Sequence, residues 1–131
     1  MKTETEIAYL ITADSVIVDN LTNKPSVVGL FDVVSLNSFA TINIFAKLKK
    51  IKKGKHSVDI VILKPGDDET VKNALLSVKI EIPYLSKDEE SLNLRGIFPP
   101  FQFIEKGKYK LRIFLDSEIL DSKEEHSFDV K

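Results

Sequence analysis

A chain of 131 residues has the length of one ordinary domain, and a chain this long can bury a hydrophobic core without covalent cross-links. The absence of cysteine excludes a disulfide framework, a thiol nucleophile and every cysteine-based zinc or iron–sulfur site. Nineteen basic residues stand against 20 acidic residues, which excludes the broad positive field that nucleic-acid-binding proteins carry.

The N-terminal stretch and the distribution of apolar residues bear on location. The first six residues are polar and lead into strand-like sequence, without the basic segment and apolar core of a secretory signal. No apolar run approaches the roughly 20 residues of a membrane-spanning helix. We therefore predict a cytoplasmic protein that forms one domain over residues 1–131, binds no cofactor and has no nucleic-acid partner.

The first third of the chain contains two predicted strands. From Ile7 to Val18, apolar residues occur on both parities and are interrupted at Asp14-Ser15, which indicates a long strand that bulges or crosses between two sheets. From Val27 to Leu36, the sequence is apolar on both faces, which is typical of a strand in the centre of a sheet. Asp32 is a carboxylate inside this second strand.

The next two predicted strands form a hairpin. Residues 42 to 48 alternate between apolar and polar side chains, which is the period of a half-buried strand, and Phe45 is the outward exception. A glycine-containing turn at residues 52–55 leads into a fourth strand from His56 to Leu63.

Proline marks the ends of the fifth and sixth predicted strands. Alternation between Val71 and Tyr84 predicts the fifth, with Pro83 on its outward parity. Because proline cannot donate a hydrogen bond to a ladder, this strand is predicted to lie at a sheet edge. Leu92 and Leu94 begin the sixth strand, which Pro99-Pro100 interrupts.

The C-terminal part completes an all-β pattern. A turn at Gly107 starts a strand in which the apolar residues 109, 111, 113 and 115 share one face, and a short last strand surrounds Phe128 and Val130. About eight strands, with no helical period longer than one turn, predict an antiparallel β-sandwich of two sheets.

The strand at residues 107–116, Gly-Lys-Tyr-Lys-Leu-Arg-Ile-Phe-Leu-Asp, resembles small bacterial β-sandwich proteins of uncharacterised function. Ala13-Asp14-Ser15-Val16 with Asp19, and residues 28–32, fit the same resemblance. It implies an immunoglobulin-like or C2-like sandwich and no particular activity. Tyr109, shortly after a glycine at a strand entrance, is similar to the tyrosine corner of immunoglobulin-like domains, in which the hydroxyl bonds upstream backbone. The chain departs from true immunoglobulin domains because it has no cysteine pair and no tryptophan.

The strongest local anomaly is a run of six lysines in nine residues. On an exposed hairpin such residues keep a strand soluble and block edge-to-edge pairing. As an alternative, they would hold an anionic membrane surface or a polyanion, as a C2-like domain does. The alternative anion-binding residues are Lys47, Lys49, Lys50, Lys52, Lys53 and Lys55.

Clustered acidic residues raise the question of a metal. Residues 67–69 and 88–90, together with Asp14, Asp19 and Asp32, suggest calcium by analogy with C2 domains. Their spacing matches no calcium loop, so we interpret the clusters as solvated turn residues and predict no metal site. Asp32 is interpreted as a cap on a neighbouring loop, with a site residue of perturbed pKa as the alternative.

Catalytic constellations are missing from the sequence. There is no nucleophile elbow, no phosphate-binding glycine loop, no His-Glu-x-x-His motif and no histidine with an obvious partner. His56 occupies the position in its hairpin that Tyr109 fills in the later one, which favours a packing role. We therefore predict that the protein is not an enzyme.

Apolar residues on otherwise charged strand faces provide the remaining functional signal. Aromatic side chains dominate the energy of protein interfaces, so we predict a non-enzymatic module that binds a protein partner or self-associates through a sheet edge or an outer apolar face. The alternative is that the rest of the sandwich or a loop covers these residues. The predicted partner-binding residues are Phe45, Phe98, Phe101 and Phe114.

Overall fold

The computed structural model describes residues 4–18, 25–30, 33–120 and 125–131, and for residues 14–18 and 25–30 it describes the backbone alone. One 3₁₀ turn, Val71–Asn73, interrupts an otherwise all-β description. The strands are β1 (Glu6–Val18), β2 (Pro25–Leu30), β3 (Val33–Val34), β4 (Phe39–Ala40), β5 (Asn43–Ile51), β6 (Gly54–Leu63), β7 (Leu76–Leu85), β8 (Glu89–Ile97), β9 (Phe101–Gln102), β10 (Gly107–Leu115), β11 (Glu118–Ile119) and β12 (Ser127–Val130).

Two sheets pack face to face. Sheet A has the order β2-β1-β5-β8, and sheet B has the order β3-β12-β10-β6-β7 with β11 attached to β10. β4 and β9 form a separate two-stranded ribbon. Every pairing among the described strands is antiparallel except that of β12 with β3. The predicted all-β sandwich of two sheets is confirmed.

The core lies between the inner faces of the sheets, and it follows the period of two. On β5 the side chains of Ile44, Ala46 and Leu48 are fully buried, as the alternation predicts. On β6 and β10 the residues that face them across the core are Val58, Ile60, Ile62, Leu111, Ile113 and Leu115. Removing this apolar surface from water is the main driving force of the fold.

The N-terminal strands differ from the sequence prediction in two places. The segment predicted as one central strand from Val27 to Leu36 is divided between β2, an edge of sheet A, and β3, an edge of sheet B. β1 runs through Asp14-Ser15 in unbroken register with β2, and its irregularity lies instead between Ile7 and Tyr9. Two successive short strands in different sheets can have the same apolar composition as one strand buried on both faces. The sequence pattern therefore could not distinguish between these two arrangements.

Proline marks an edge as predicted. β7 is the last strand of sheet B, and Pro83 lies exposed near its end. The missing N–H of Pro83 therefore costs the sheet little.

An aromatic cluster closes the end of the sandwich where β10 begins. Phe103 packs edge-to-face on Tyr109 and Phe128, with ring centroids 5.3 Å and 5.5 Å away. The hydroxyl of Tyr109 donates to the carbonyl of Glu105 at 2.8 Å, which is the upstream backbone bond expected of a tyrosine corner. Burial, together with the charge of Glu105, raises the pKa of the Tyr109 hydroxyl.

Candidate functional site

Of the four aromatic residues predicted to bind a partner, three are buried and one is partly buried. Phe98 is fully buried, and Phe45 and Phe114 retain 5% and 4% exposure. Phe101 packs edge-to-face on Phe103, with ring centroids 5.0 Å apart. The four residues therefore do not form the exposed apolar surface that the sequence predicts, and that expectation is corrected.

Neighbouring segments cover the two outward-facing aromatics. Tyr9 of β1 lies beside Phe45 on sheet A, with ring centroids 5.5 Å apart. On sheet B, Val71 and Ala74 from the segment between β6 and β7 pack on a small buried cluster that contains Phe114. A loop that folds back over the sheet is the reason why Phe114 is inaccessible.

Arg112 of β10 forms ion pairs with the covering segment, residues 64–75 between β6 and β7, and with Glu125. Its Nε donates to Glu69 at 2.5 Å, and its Nη2 donates to both carboxylate oxygens of Glu125 at 3.2 Å and 3.3 Å. The Arg112 side chain is 16% exposed, but Glu69 and Glu125 are 38% and 52% exposed, so solvent screens the carboxylate end of both ion pairs and their contribution is modest. Charge therefore adds only modestly to the packing that holds the cover.

A cleft of about 500 Å³ opens beside the cover on the outer face of sheet B. Phe114 contributes to its wall, and Asp59 of β6 lies opposite Lys79 of β7 in the ladder beneath it. Thr70 and Ser117 add hydroxyl groups at the sides. The lining offers hydrogen-bonding groups of both charges and no histidine.

The predicted anion-binding lysines surround the turn between β5 and β6, which we call the lysine hairpin (residues 47–55). Lys47 is partly buried, and the other five are exposed. Most of the lysine side chains of the hairpin are therefore in solvent, as the sequence predicts. Those five are Lys49, Lys50, Lys52, Lys53 and Lys55.

Acidic side chains from other segments lie among these lysines. The ammonium group of Lys50 is 3.3 Å from the carboxylate of Glu6. That of Lys52 is 3.5 Å from Glu4 and 3.8 Å from Asp88. Part of the positive charge is thereby neutralised, which weakens the attraction of the lysine hairpin for a polyanion.

The residues considered for a metal do not converge in the described part of the chain. Among the described residues no group of three or more His, Cys, Asp or Glu side chains is placed to hold a metal ion. Asp19 and Asp32 lie outside the described residues, and for Asp14 only the backbone is described. Glu69, from the first acidic cluster, is engaged with Arg112.

His56 has a partner that the sequence did not reveal. Its Nδ1 lies 2.6 Å from Oδ2 of Asp116, and its Nε2 lies 2.7 Å from the carbonyl oxygen of Lys52. Both partners are acceptors, so only the imidazolium, with two N–H donors, satisfies them together. Sixty residues separate the two side chains, and no local pattern could have joined them.

The ionisation of His56 follows from these contacts. Burial lowers the pKa of the imidazole, but the hydrogen bonds to Asp116 and Lys52 and the charge of Asp116 outweigh it, and the pKa is raised above its ordinary value. A general base needs a nitrogen free to take a proton from a substrate. Both ring nitrogens of His56 are engaged, so the pair acts as a structural tie between β6 and the β10–β11 turn.

Two large apolar side chains stand exposed on the ribbon of β4 and β9 and just after it. Phe39 of β4 pairs with Gln102 of β9, and Ile104 lies two residues beyond Gln102 in the chain. Phe39 is 72% exposed and Ile104 is 68% exposed. We call the two exposed side chains, Phe39 and Ile104, the apolar tip face. No sequence pattern marks it, because the two residues lie 65 positions apart and neither belongs to an apolar stripe.

The long edges of the two sheets differ in how they are protected. β7 carries Pro83, which has no N–H, and the charged residues Lys79 and Glu81 on its outer face. β8 has nine residues, contains no proline and pairs only with β5. Among the described strands, β8 is therefore the long edge that proline leaves unblocked.

The backbone groups that β8 presents at its free side can be identified. Its register on β5 is regular throughout, and the N–H of Phe98 donates to the carbonyl of Ile42 at 2.9 Å. Because bonded residues alternate in an antiparallel ladder, the even-numbered residues of β8 bond to β5. The odd-numbered residues direct their N–H and C=O groups outward, and we call this free side the open edge: Glu89, Ser91, Asn93, Arg95 and Ile97.

Comparison of the sequence with protein families supplies a family and no activity. Residues 8–125 match the family of unknown function DUF6941. The chain belongs to this family. The matched residues of this DUF6941 chain include β5, β8 and the open edge, and β12 lies beyond them. No match was found among curated proteins.

Solved structures similar to this DUF6941 chain share its fold at low sequence identity. An alkylpurine DNA glycosylase from Pseudomonas fluorescens, bound to DNA containing an abasic site analog, matches with a TM-score of 0.55 and 14% identity, over 100% of this chain and 31% of that one. The chain thus spans about a third of the glycosylase, and the likeness shows the fold alone.

Two further structures match with lower scores. An immunoglobulin-like protein from Pseudomonas aeruginosa has a TM-score of 0.45 and 16% identity, over 98% of both chains. A CARDB domain from Pyrococcus furiosus, in complex with di-metal ions, has a TM-score of 0.38 and 18% identity, over 77% of this chain and 79% of that one.

The described residues include no helix with the length and hydrophobicity that a bilayer crossing requires.

Proposed function

We propose that the protein is a non-enzymatic interaction module that accepts an extended segment of a protein chain as an additional strand beside β8. The observation that carries the proposal is the open edge, where five residues present unpaired backbone groups on a strand without proline. Backbone hydrogen bonds of this kind supply affinity in strand addition, and alternate side chains supply specificity.

The side chains at the open edge are compatible with an added strand. Ser91, Asn93, Arg95 and Ile97 are all exposed. Gly96 lies close to β7, where an added Cβ would be 3.3 Å from Cγ1 of Val78, so the inner side of the strand is firmly packed. A firmly held edge loses little conformational entropy when a partner strand pairs with it.

The test uses peptides selected from a random library displayed on phage against the immobilised protein. We expect recovered peptides to protect the amides of Ser91, Asn93 and Arg95 from hydrogen exchange. Asn93→Pro should abolish their binding because proline removes an outward N–H and places its ring at the free side. Since the N–H of Asn93 is not used by β5, circular dichroism and thermal melting of N93P should stay close to wild type.

The matched control is Phe39→Ser, which alters the apolar tip face and leaves the open edge intact. Peptides that pair with the open edge should bind F39S as they bind the wild type. If the peptides bind N93P as they bind the wild type but no longer bind F39S, the proposal is overturned in favour of the apolar tip face. Failure to recover any specific peptide with a chain that light scattering shows to be monomeric would also contradict it.

A further inference from the structure

The open edge is complementary in charge to a second copy of itself. β8 begins with two acidic residues, Glu89 and Glu90, and carries the basic residue Arg95 near its other end. When two copies of such a strand run antiparallel, the acidic start of each lies beside the basic end of the other. A strand with one sign of charge throughout would repel its copy instead.

Backbone geometry limits the registers that two copies can adopt. A twofold axis perpendicular to the sheet keeps the same face of both copies on the same side, so odd-numbered residues lie opposite odd-numbered residues. These are the residues whose N–H and C=O groups point outward. When Ser91 lies opposite Asn93 of the second copy, Glu89 lies opposite Arg95. Glu90, on the other face of the strand, lies opposite Leu94.

The side chains that would meet make no polar contact with the part of one copy that the structure describes. Among the described residues, the side chains of Glu89, Ser91, Asn93 and Arg95 have no hydrogen-bond or ion-pair partner. Arg95 also lines a recess at the edge with Ile97 and Asn43, which leaves room beside its side chain. Pairing of two copies would therefore satisfy backbone and side-chain groups at once.

We infer that two copies of the chain pair antiparallel along β8, with Ser91 opposite Asn93, and join two four-stranded A sheets into one continuous sheet. The inference rests on the proposed function, because it names the chain that occupies the open edge. It also places the two apolar tip faces at opposite ends of the assembly, since the strands run in opposite directions.

Charge reversal with rescue tests the pairing. Light scattering of the intact chain should give twice the mass of one chain. Arg95→Glu alone, and Glu89→Lys with Glu90→Lys, should each shift the protein toward monomer, because like charges then face each other. The combination of all three substitutions should restore the dimer. Lys79→Glu, on the other long edge, is the control and should leave the dimer unchanged.

Introduced cysteines test the register, because the chain contains none of its own. A mixture of Ser91→Cys and Asn93→Cys chains should form a disulfide between unlike chains under mild oxidation. Efficient cross-linking of Asn93→Cys with itself would place Asn93 opposite Asn93 and overturn the register. The inference would be overturned if light scattering gave the mass of one chain at every concentration, or if none of the charge reversals changed the mass of the dimer.

Failure of the inference and failure of the proposed function give different results. If the chain is monomeric and N93P still abolishes binding of the selected peptides, a second copy is not the partner, and strand addition stands. If the peptides bind N93P as well as wild type, the proposed function itself is contradicted.

Discussion

His56 is the residue whose ionisation is tied most directly to the fold. It is held between two acceptors, Asp116 and the carbonyl of Lys52, and its pKa in the folded chain is raised above the ordinary value of 6.5. A raised folded pKa means that the folded state binds the proton more tightly than the unfolded state does. The stabilisation is therefore complete below the ordinary pKa and is lost as the pH rises through the folded pKa.

We expect the free energy of unfolding to decrease as the pH rises from about 5.5 to 8.5, a window chosen around the ordinary histidine pKa. Urea unfolding of wild type and His56→Gln across this window measures the effect. The substitution should cost about 1–3 kcal/mol at the acidic end, since it removes charge-assisted hydrogen bonds, and the difference should shrink at the alkaline end. Parallel curves for the two proteins would contradict this assignment.

Gly107 combines backbone strain with close packing. Its φ is +144°, and a Cβ added there would lie 2.6 Å from Cγ of Pro65. Gly107→Ala should therefore destabilise the chain by roughly 2–4 kcal/mol, from an unfavourable φ and a steric clash together. Thermal and urea unfolding of the variant measure the loss.

Gly54→Ala separates the two causes. Gly54 has a φ of +117°, and nothing lies within 4 Å of its added Cβ, so only the strain applies. We expect a smaller loss than at Gly107, about 1–2 kcal/mol. Equal losses at the two positions would mean that Pro65 moves aside at little cost.

The turn between β10 and β11 has one residue, Ser117, that does not suit its backbone shape. Asp116 and Ser117 both have positive φ, 48° and 71°, and join paired residues Leu115 and Glu118. A two-residue turn of this form favours Asn or Asp first and glycine second. Ser117→Gly should therefore stabilise the protein by up to about 1 kcal/mol, measured by thermal unfolding.

Asp116→Gly is the contrasting variant at the same turn. It relieves similar backbone strain, but it removes the carboxylate that bonds His56 at 2.6 Å and accepts the N–H of Ser57 at 2.9 Å. We expect a net loss of stability, since charge-assisted hydrogen bonds contribute about 1.5–3 kcal/mol. A gain from both substitutions would show that the tie to His56 contributes little.

The strands could be predicted from the sequence because their pattern is local. Residues 42–48 alternate along one chain, and Pro83 marks its own strand as an edge. A covering loop over Phe114 was an alternative, but its identity could not be predicted, because alternation placed Val71 in the fifth strand. The structure instead forms a 3₁₀ turn at Val71–Asn73, and β7 begins at Leu76. The tie from His56 to Asp116 and the acids beside Lys52 also join distant parts of the chain, so the topology must be known before they can be seen.

On the scale of the whole molecule, charge balance argues against binding to an anionic membrane. The net charge is −1, and acids from the N-terminal segment and the β7–β8 turn lie beside the lysine hairpin. We expect no co-sedimentation with phosphatidylserine-containing vesicles at physiological salt. Binding by the wild type that disappears at high salt would contradict this prediction.

Neutralising those acids provides the matched variant. Glu4→Gln, Glu6→Gln and Asp88→Asn together leave all six lysines in place and remove the three carboxylates beside them. Each lysine near an anionic surface contributes about 1 kcal/mol, so the triple variant should bind the same vesicles more strongly than wild type does. Unchanged behaviour would mean that the neighbouring acids have no influence on the lysine hairpin.

The parallel pairing of β3 with β12 affects how the chain is made. Val33 pairs with Asp129, and the N–H of Leu36 donates to the carbonyl of Lys131, so this part of sheet B joins residues about 95 positions apart. At a synthesis rate of roughly 5–20 residues per second, β3 leaves the ribosome some 5 to 20 seconds before its partner does. During that interval an apolar segment that later closes a sheet is exposed on the nascent chain, where chaperones act.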